Sequence, residues 1–398
     1  MKLRQILVPL DGSDLAERAL PLAEQLARRA GATLVLARAP LARVFSRMDA
    51  IDANEAESNV VAEAEKYLQA VRQRLAEHGL RCRTATPRGE ADESGLAVGQ
   101  TVRPSLPFRQ LAEVSREAAA AIAHEAESRR VDLIVMATHG RSGLGRWVYG
   151  SVTLELLHRA TVPVLLVRSG APDTLPEGDG LRVLVPLDGS PLAEMALSSA
   201  LSLADLLGGS LVLIQVIPAF QASRVGWLIG PLVTDPSEHA ALDAAAHTYL
   251  EAIRKTLEDQ TVPVDLMVEE GDPALAVARA AKTKACALVA VATHGRTGLA
   301  RLAIGSVAEG IVATAPAAVL VVRSVGVEKE WRVMPAEAEV EPKAPEPRPL
   351  AMTLSQAERD LVRTSLQALR QTVSRDEHLS EPIHRLLDRL DETERSIR

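Results

Sequence analysis

Aromatic residues are scarce: three Trp, three Tyr and three Phe, 2% of a 398-residue chain. A surface that stacks nucleic-acid bases needs such rings, so that class of function is excluded and the core must be aliphatic. Cysteine is scarcer still. Cys82 and Cys286 lie far apart and neither belongs to a CxxC pair, which excludes a zinc ribbon or a thioredoxin-type redox site. Both read as small buried hydrophobes in a reducing compartment. An excess of positive charge is also missing, since 45 Lys and Arg face 52 Asp and Glu for a net −7. No broad basic footprint for DNA, RNA or anionic lipid follows from that balance. No apolar run reaches the roughly 18 residues of a membrane span. The apolar run after Met1 stops at Asp11, short of a signal peptide, so the expected compartment is cytoplasmic.

What remains is an ordinary globular composition, 47% hydrophobic and 24% charged, long enough for two or three domains. The dominant feature is an internal repeat. Leu7–Ser13 and Leu184–Ser190 both read LVPLDGS, at an offset of 177 that holds through Thr33 and Ser210. Ala137–Leu144 (ATHGRSGL) matches Ala292–Leu299 (ATHGRTGL) at an offset of 155 that continues to Arg168 and Arg323. The first copy therefore carries 22 extra residues in its middle. This is a duplicated domain, not a solenoid period, with copies expected over 1–170 and 180–325.

Each copy alternates strand and helix signals. Copy one has apolar runs at Gln5–Pro9, Thr33–Ala37, Arg81–Ala85, Val131–Ala137 and Pro163–Val167. Copy two has Arg182–Pro186, Ser210–Ile217, Val262–Val268, Cys286–Ala292 and Ala318–Val322. Helical spacing lies between them, at Leu192–Leu207, Ser237–Leu257, Ala274–Lys284 and Val307–Thr314 in copy two. Ser190 is a good N-cap, and Pro191 fits the first helical position. Strands apolar throughout and separated by helices predict α/β architecture: two tandem doubly wound domains, each on a five-stranded parallel sheet. The extra residues of copy one, about 89–117, contain Gly95, Gly99, Pro104 and Pro107 and read as a surface loop. Residues 333–350 are a Pro/Glu-rich linker, and 353–398 carry two amphipathic stripes that predict a short helical tail able to self-associate or dock.

Two blocks carry chemistry. Asp11–Gly12–Ser13 and Asp188–Gly189–Ser190 fall at the carboxyl end of the first strand of each copy, where ligands bind in open parallel sheets. An acid there can accept from ribose hydroxyls; it can equally serve as a turn or helix cap. The loop after the fourth strand runs from His139–Gly140–Arg141 to Gly150–Ser151, and from His294–Gly295–Arg296 to Gly305–Ser306. Both hold G-x9-G-S ahead of a helix start, the pattern that lets backbone N–H groups approach phosphate. The structural alternative is a tight turn with Ser306 and Glu309 forming a capping box. No catalytic or metal-ligating set is found: there is no Walker lysine, no HExxH and no G-x-S-x-G.

Together, LVPLDGS, MATHGRSGL and G-x9-G-S before a helix resemble the universal stress protein family in its tandem two-domain form, over roughly residues 1–324. The resemblance implies strand order 3-2-1-4-5 in each copy and an ATP site at the switch point, with Mg²⁺ accompanying the nucleotide. The ATP-binding branch has G-x2-G-x9-G-[S/T]; Ala137 and Ala292 here take the place of its first glycine. The family's adenine-contacting position matches Val216 in copy two and Ala39 in copy one. The implied site of copy two comprises Pro186, Leu187, Asp188, Gly189, Ser190, Val216, Thr293, His294, Gly295, Arg296, Gly305, Ser306 and Val307. In copy one it comprises Pro9, Asp11, Gly12, Ser13, Ala39, His139, Gly140, Arg141, Gly150, Ser151 and Val152. Bulky Trp147 and Tyr149 in copy one's loop make copy two the better site. The resemblance further implies an intrachain pseudo-dimer of the two domains through their last strands, with Arg168 and Arg323 at the ends of the seam. A homo-oligomer and an unidentified protein partner are expected as well. Two alternatives stand beside nucleotide binding: a slow ATP hydrolase, and an interaction scaffold with vestigial pockets.

Overall fold

A computed structural model describes residues 2–39, 50–87, 108–138, 150–168, 172–219, 236–293 and 305–323. The expected linker and helical tail lie outside the described residues. Copy one runs β1 (Gln5–Pro9), α1 (Asp14–Glu17), α2 (Leu20–Ala30), β2 (Thr33–Ala37), α3 (Ala50–Glu77), β3 (Cys82–Ala85), α4 (Phe108–Ser128), β4 (Leu133–Thr138), α5 (Ser151–Arg159) and β5 (Val164–Arg168). Copy two follows with β6 (Arg182–Leu187), α6 (Pro191–Leu207), β7 (Ser210–Ile217), α7 (Pro236–Thr256), β8 (Val264–Glu270), α8 (Pro273–Thr283), β9 (Leu288–Thr293), α9 (Ser306–Thr314) and β10 (Ala318–Arg323).

All ten strands form one sheet, in the order β3-β2-β1-β4-β5-β10-β9-β6-β7-β8. Pairing is parallel within each copy, as in β1 with β2 and β4, or β6 with β7 and β9. Among the described residues the single antiparallel contact joins β5 to β10, where Val319, Leu320 and Val321 face Leu166, Leu165 and Val164. Alternation along each strand sends side chains into two separate layers. Ile6, Val8, Leu34 and Leu36 pack with α2, α3, α6 and α7, whereas Leu7, Val35 and Ala37 pack with α4, α5, α8 and α9. Parallel strands need helical crossovers on both faces, which is why these runs are apolar without interruption. Leu165 and Leu320 at the central contact are fully buried. Truncating such a leucine to alanine costs about 2–5 kcal/mol.

Residues between the copies are fastened to the first. Gln25 exchanges hydrogen bonds with both backbone groups of Leu175, and Arg18 pairs with Asp173 at 2.5 Å. Leu175 and Leu181 are buried in the layer shared with α2 and α6.

Several strand starts move from the sequence expectation, each for a local reason. Val131 and Cys286 donate back to Ala126 and Ala281 and close the preceding helices, so β4 and β9 begin two residues later. Pro263 has no N–H to give a ladder, and β8 starts after it. A larger correction concerns the insert of copy one, expected as a surface loop over 89–117. Its last part is helical, because α4 begins at Phe108 and spans 21 residues against 11 for α8. Val114, Ala118, Ala119 and Ile122 recur at helical spacing and are buried, which makes helix the favoured state there.

Candidate functional site

The first half-site is the turn that follows β1 or β6. Asp11 Oδ1 accepts from the Ser13 N–H at 2.8 Å, and Asp188 Oδ1 accepts from the Ser190 N–H at 2.9 Å and from its hydroxyl at 2.5 Å. Ser13 and Ser190 then cap α1 and α6 by accepting from Ala16 and Ala193. The turns require φ of +90° at Gly12 and +83° at Gly189, conformations open to glycine. Pro9 and Leu187 are buried, Pro186 is half-buried, and both aspartates are exposed at the carboxyl end of the sheet. The aspartates therefore do hold a turn, with one carboxylate oxygen engaged in it.

The second half-site is the entry to α5 or α9. The strands before it, β4 and β9, lie beside β1 and β6 and end in buried Thr138 and Thr293. The order reverses here, with β2 or β7 on the other side of the first strand, so a crevice opens at this point. Gly150 and Gly305 are the N-caps, and neither helix start carries a side-chain cap. The capping box weighed as the structural alternative is therefore not formed by Ser306 as the cap. Gly305, not Ser306, is the cap, because its φ of +90° turns the chain into the helix and puts Ser306 in the first turn. Ser306 and Val307 are exposed, whereas Val152 is half-buried. Val216 lies half-buried near the end of β7, on the α8 and α9 layer; Ala39 is also half-buried. His139, Gly140, Arg141, His294, Gly295 and Arg296 lie outside the described residues.

Three features beside the turns were missed in the sequence. Tyr67 on α3 donates its hydroxyl to Glu17 at 2.8 Å, and Tyr249 on α7 donates to Glu194 at 3.0 Å. The glutamates match at the repeat offset, but the tyrosines fall out of ungapped register, which hid the pair. Copy one adds Arg74 on Glu17 at 2.5 Å, whereas among the described residues no arginine pairs with Glu194, which is 8% exposed. Burial pushes the Glu194 carboxyl above its ordinary value, nearby Asp188 adds to this, and the Tyr249 hydroxyl opposes it. Burial also raises the Tyr249 phenol, and the neighbouring charges of Glu194 and Asp188 add to this. The third feature is Arg38, whose guanidinium lies 5.1 Å from the Tyr67 ring centre and 3.6 Å from Glu63.

A sequence model of the universal stress protein family matches residues 2–168 and again 181–323. A universal stress protein of Mycobacterium tuberculosis is 30% identical over 228 residues, covering 57% of this chain and 70% of that protein. Universal stress protein MJ0577 of Methanocaldococcus jannaschii is 26% identical over 165 residues, 42% of this chain and 94% of its own length. Among solved structures, a universal stress protein from Archaeoglobus fulgidus superposes with a TM-score of 0.54 at 18% identity, over 81% of this chain and 99% of that one. That last likeness speaks to the fold. With two matched segments spanning most of its length, and each of them built on the same turn and helix entry, this chain belongs to the universal stress protein family as a tandem of two family domains.

Proposed function

We propose that the protein binds an adenine nucleotide, ATP accompanied by Mg²⁺, in its second copy, and acts as a nucleotide-dependent regulator or protective module in the stress response. The observation that carries this reading is the meeting of two half-sites at one reversal of strand order. Exposed Asp188 follows β6, and the open start of α9 follows β9, the adjacent strand. Asp188 Oδ1 is engaged by Ser190, and the second oxygen is the acceptor a ribose hydroxyl would meet. The first turn of α9 presents backbone N–H groups and the positive end of its dipole to phosphate. Among the described residues nothing lies within 4 Å of the place a Gly305 Cβ would take, which supports a close approach of phosphate to the backbone. Val216 offers an apolar flank for adenine. His294, Gly295 and Arg296 complete the proposed site. Mg²⁺ would stay on the phosphates and keep most of its water, as it does where no carboxylate cage is supplied.

The β5–β10 contact supports reading the two halves as a pseudo-dimer within one chain. Arg168, 9% exposed, supports it further by donating to Ala313 O at 2.9 Å, a carbonyl in the last turn of α9. Calorimetric titration with Mg²⁺-ATP tests the nucleotide reading. Binding is expected in the wild type, with a loss of at least about tenfold in Gly305→Val, where a side chain fills the phosphate approach. Unchanged affinity in that variant would remove the site assignment.

A further inference from the structure

We infer that copy one's crevice is closed by its own chain, so that the protein takes up one nucleotide, and that Ser115 and Arg38 decide this. The inference rests on the nucleotide-binding reading and deepens it. At the helix entry, the extra turns of α4 bring Ser115, 2% exposed, to Ser151: the two hydroxyls are 2.5 Å apart. Ser151 is the residue that corresponds to Ser306 in the phosphate position of copy two. Arg116 on the same turns pairs with Glu155 of α5 at 3.4 Å and holds the extension down. Copy two has no such turns, because α8 starts at Pro273, the position that corresponds to Ala118. The backbone differs too: Gly150 enters its helix at φ −55°, against +90° for Gly305.

At the Asp turn, the Arg38 guanidinium atoms lie 3.6 Å from where a Gly12 Cβ would stand, so the side chain lies against the turn. Tyr67 and Glu63 hold it there. The repeat offset puts Gln215 at this position in copy two, and among the described residues nothing lies within 4 Å of the Gly189 Cβ position. Both half-sites of copy one thus carry a partner from the protein itself, and among the described residues neither half-site of copy two has such a partner. A hydroxyl already bonded to a buried neighbour and a turn with a guanidinium against it must each give up that contact before a nucleotide can take its place.

The stoichiometry of Mg²⁺-ATP binding to the full chain tests this. One nucleotide per chain is expected in the wild type, none in Asp188→Ala, and two in the double variant Arg38→Gln, Ser115→Ala. Two per wild-type chain would overturn the closure and leave the nucleotide reading standing, whereas no uptake at all would remove that reading and the closure with it. Retained binding in Asp188→Ala would place the nucleotide in copy one and overturn the inference, as would a double variant that folds and still takes up one. Photolabelling of the wild type with an azido-ATP and peptide mapping needs no variant to fold. Label confined to residues 181–323 is expected, and label in both halves would overturn the proposal.

Discussion

The entries to α5 and α9 come from the same motif and end up as different surfaces. Gly150 enters at φ −55° beneath a helix extended by the insert, and Gly305 enters at φ +90° with no described residue against its Cβ position. Farther along the same helices, Glu155 of copy one reaches out to Arg116, while the matching Gly310 of copy two lets α8 come close. The difference teaches that a duplicated motif keeps its backbone role while the elements packed over it decide what can reach it. In copy one the neighbour is a longer helix that brings its own polar contacts. In copy two the neighbour is short and seals the layer by close packing.

That contrast can be broken at several points. A Cβ on Gly310 would lie 2.7 Å from the Ala274 Cβ, so Gly310→Val should cost about 1–3 kcal/mol by overpacking. The matching Glu155→Val removes only two partly exposed ion pairs, to Arg116 and Arg159, and should change stability by about 1 kcal/mol or less. Denaturant melts of the two variants measure this, and equal losses would mean that α8 and α9 do not depend on close approach. A second comparison concerns the caps. Gly305→Ala forces a side chain into a glycine region and should cost about 1–3 kcal/mol. Gly150→Ala sits at an allowed φ and should be neutral or stabilise by up to about 1 kcal/mol.

The glutamates beneath the turns give a smaller, pH-dependent contrast. Glu194 has a raised folded-state value, so its neutral form is the one the fold favours. Its contribution is fully present at acid pH and is lost as pH rises toward the folded value. Glu194→Gln should therefore match the wild type in acid, and its melting temperature should exceed the wild type's as pH climbs above the ordinary carboxylate range. Glu17→Gln should show no such gain at neutral pH, because it gives up the Arg74 pair, worth about 0–1 kcal/mol. Gain in neither variant would mean that Glu194 is solvated in the native state. Smallest of all is the thiol contrast. Burial pushes Cys286 up to about 11 and raises Cys82 as well, so both should alkylate slowly at neutral pH. Cys82, half-buried on the edge strand β3, should react first in a timed iodoacetamide assay.

The amino-acid sequence alone determined the duplication, the strand runs, the turn after the first strand and the glycine that opens the last helix. These are local matters: β-branched apolar runs, an Asp-Gly-Ser turn and an N-cap serine act within a few residues and leave a legible pattern. Helix spacing in Val114–Ile122 was equally local, but the glycines and prolines just before it made the whole insert read as loop. The Tyr–Glu pairs, Arg38 against Gly12 and Ser115 on Ser151 were decided only by the tertiary structure. Each joins residues distant in sequence, Ser115 with Ser151 and Tyr249 with Glu194 among them, whose meeting depends on how layers stack across the sheet. Composition and periodicity carry no record of such meetings, because a side chain's partner is set by packing, and packing is settled only when both layers have closed on the sheet.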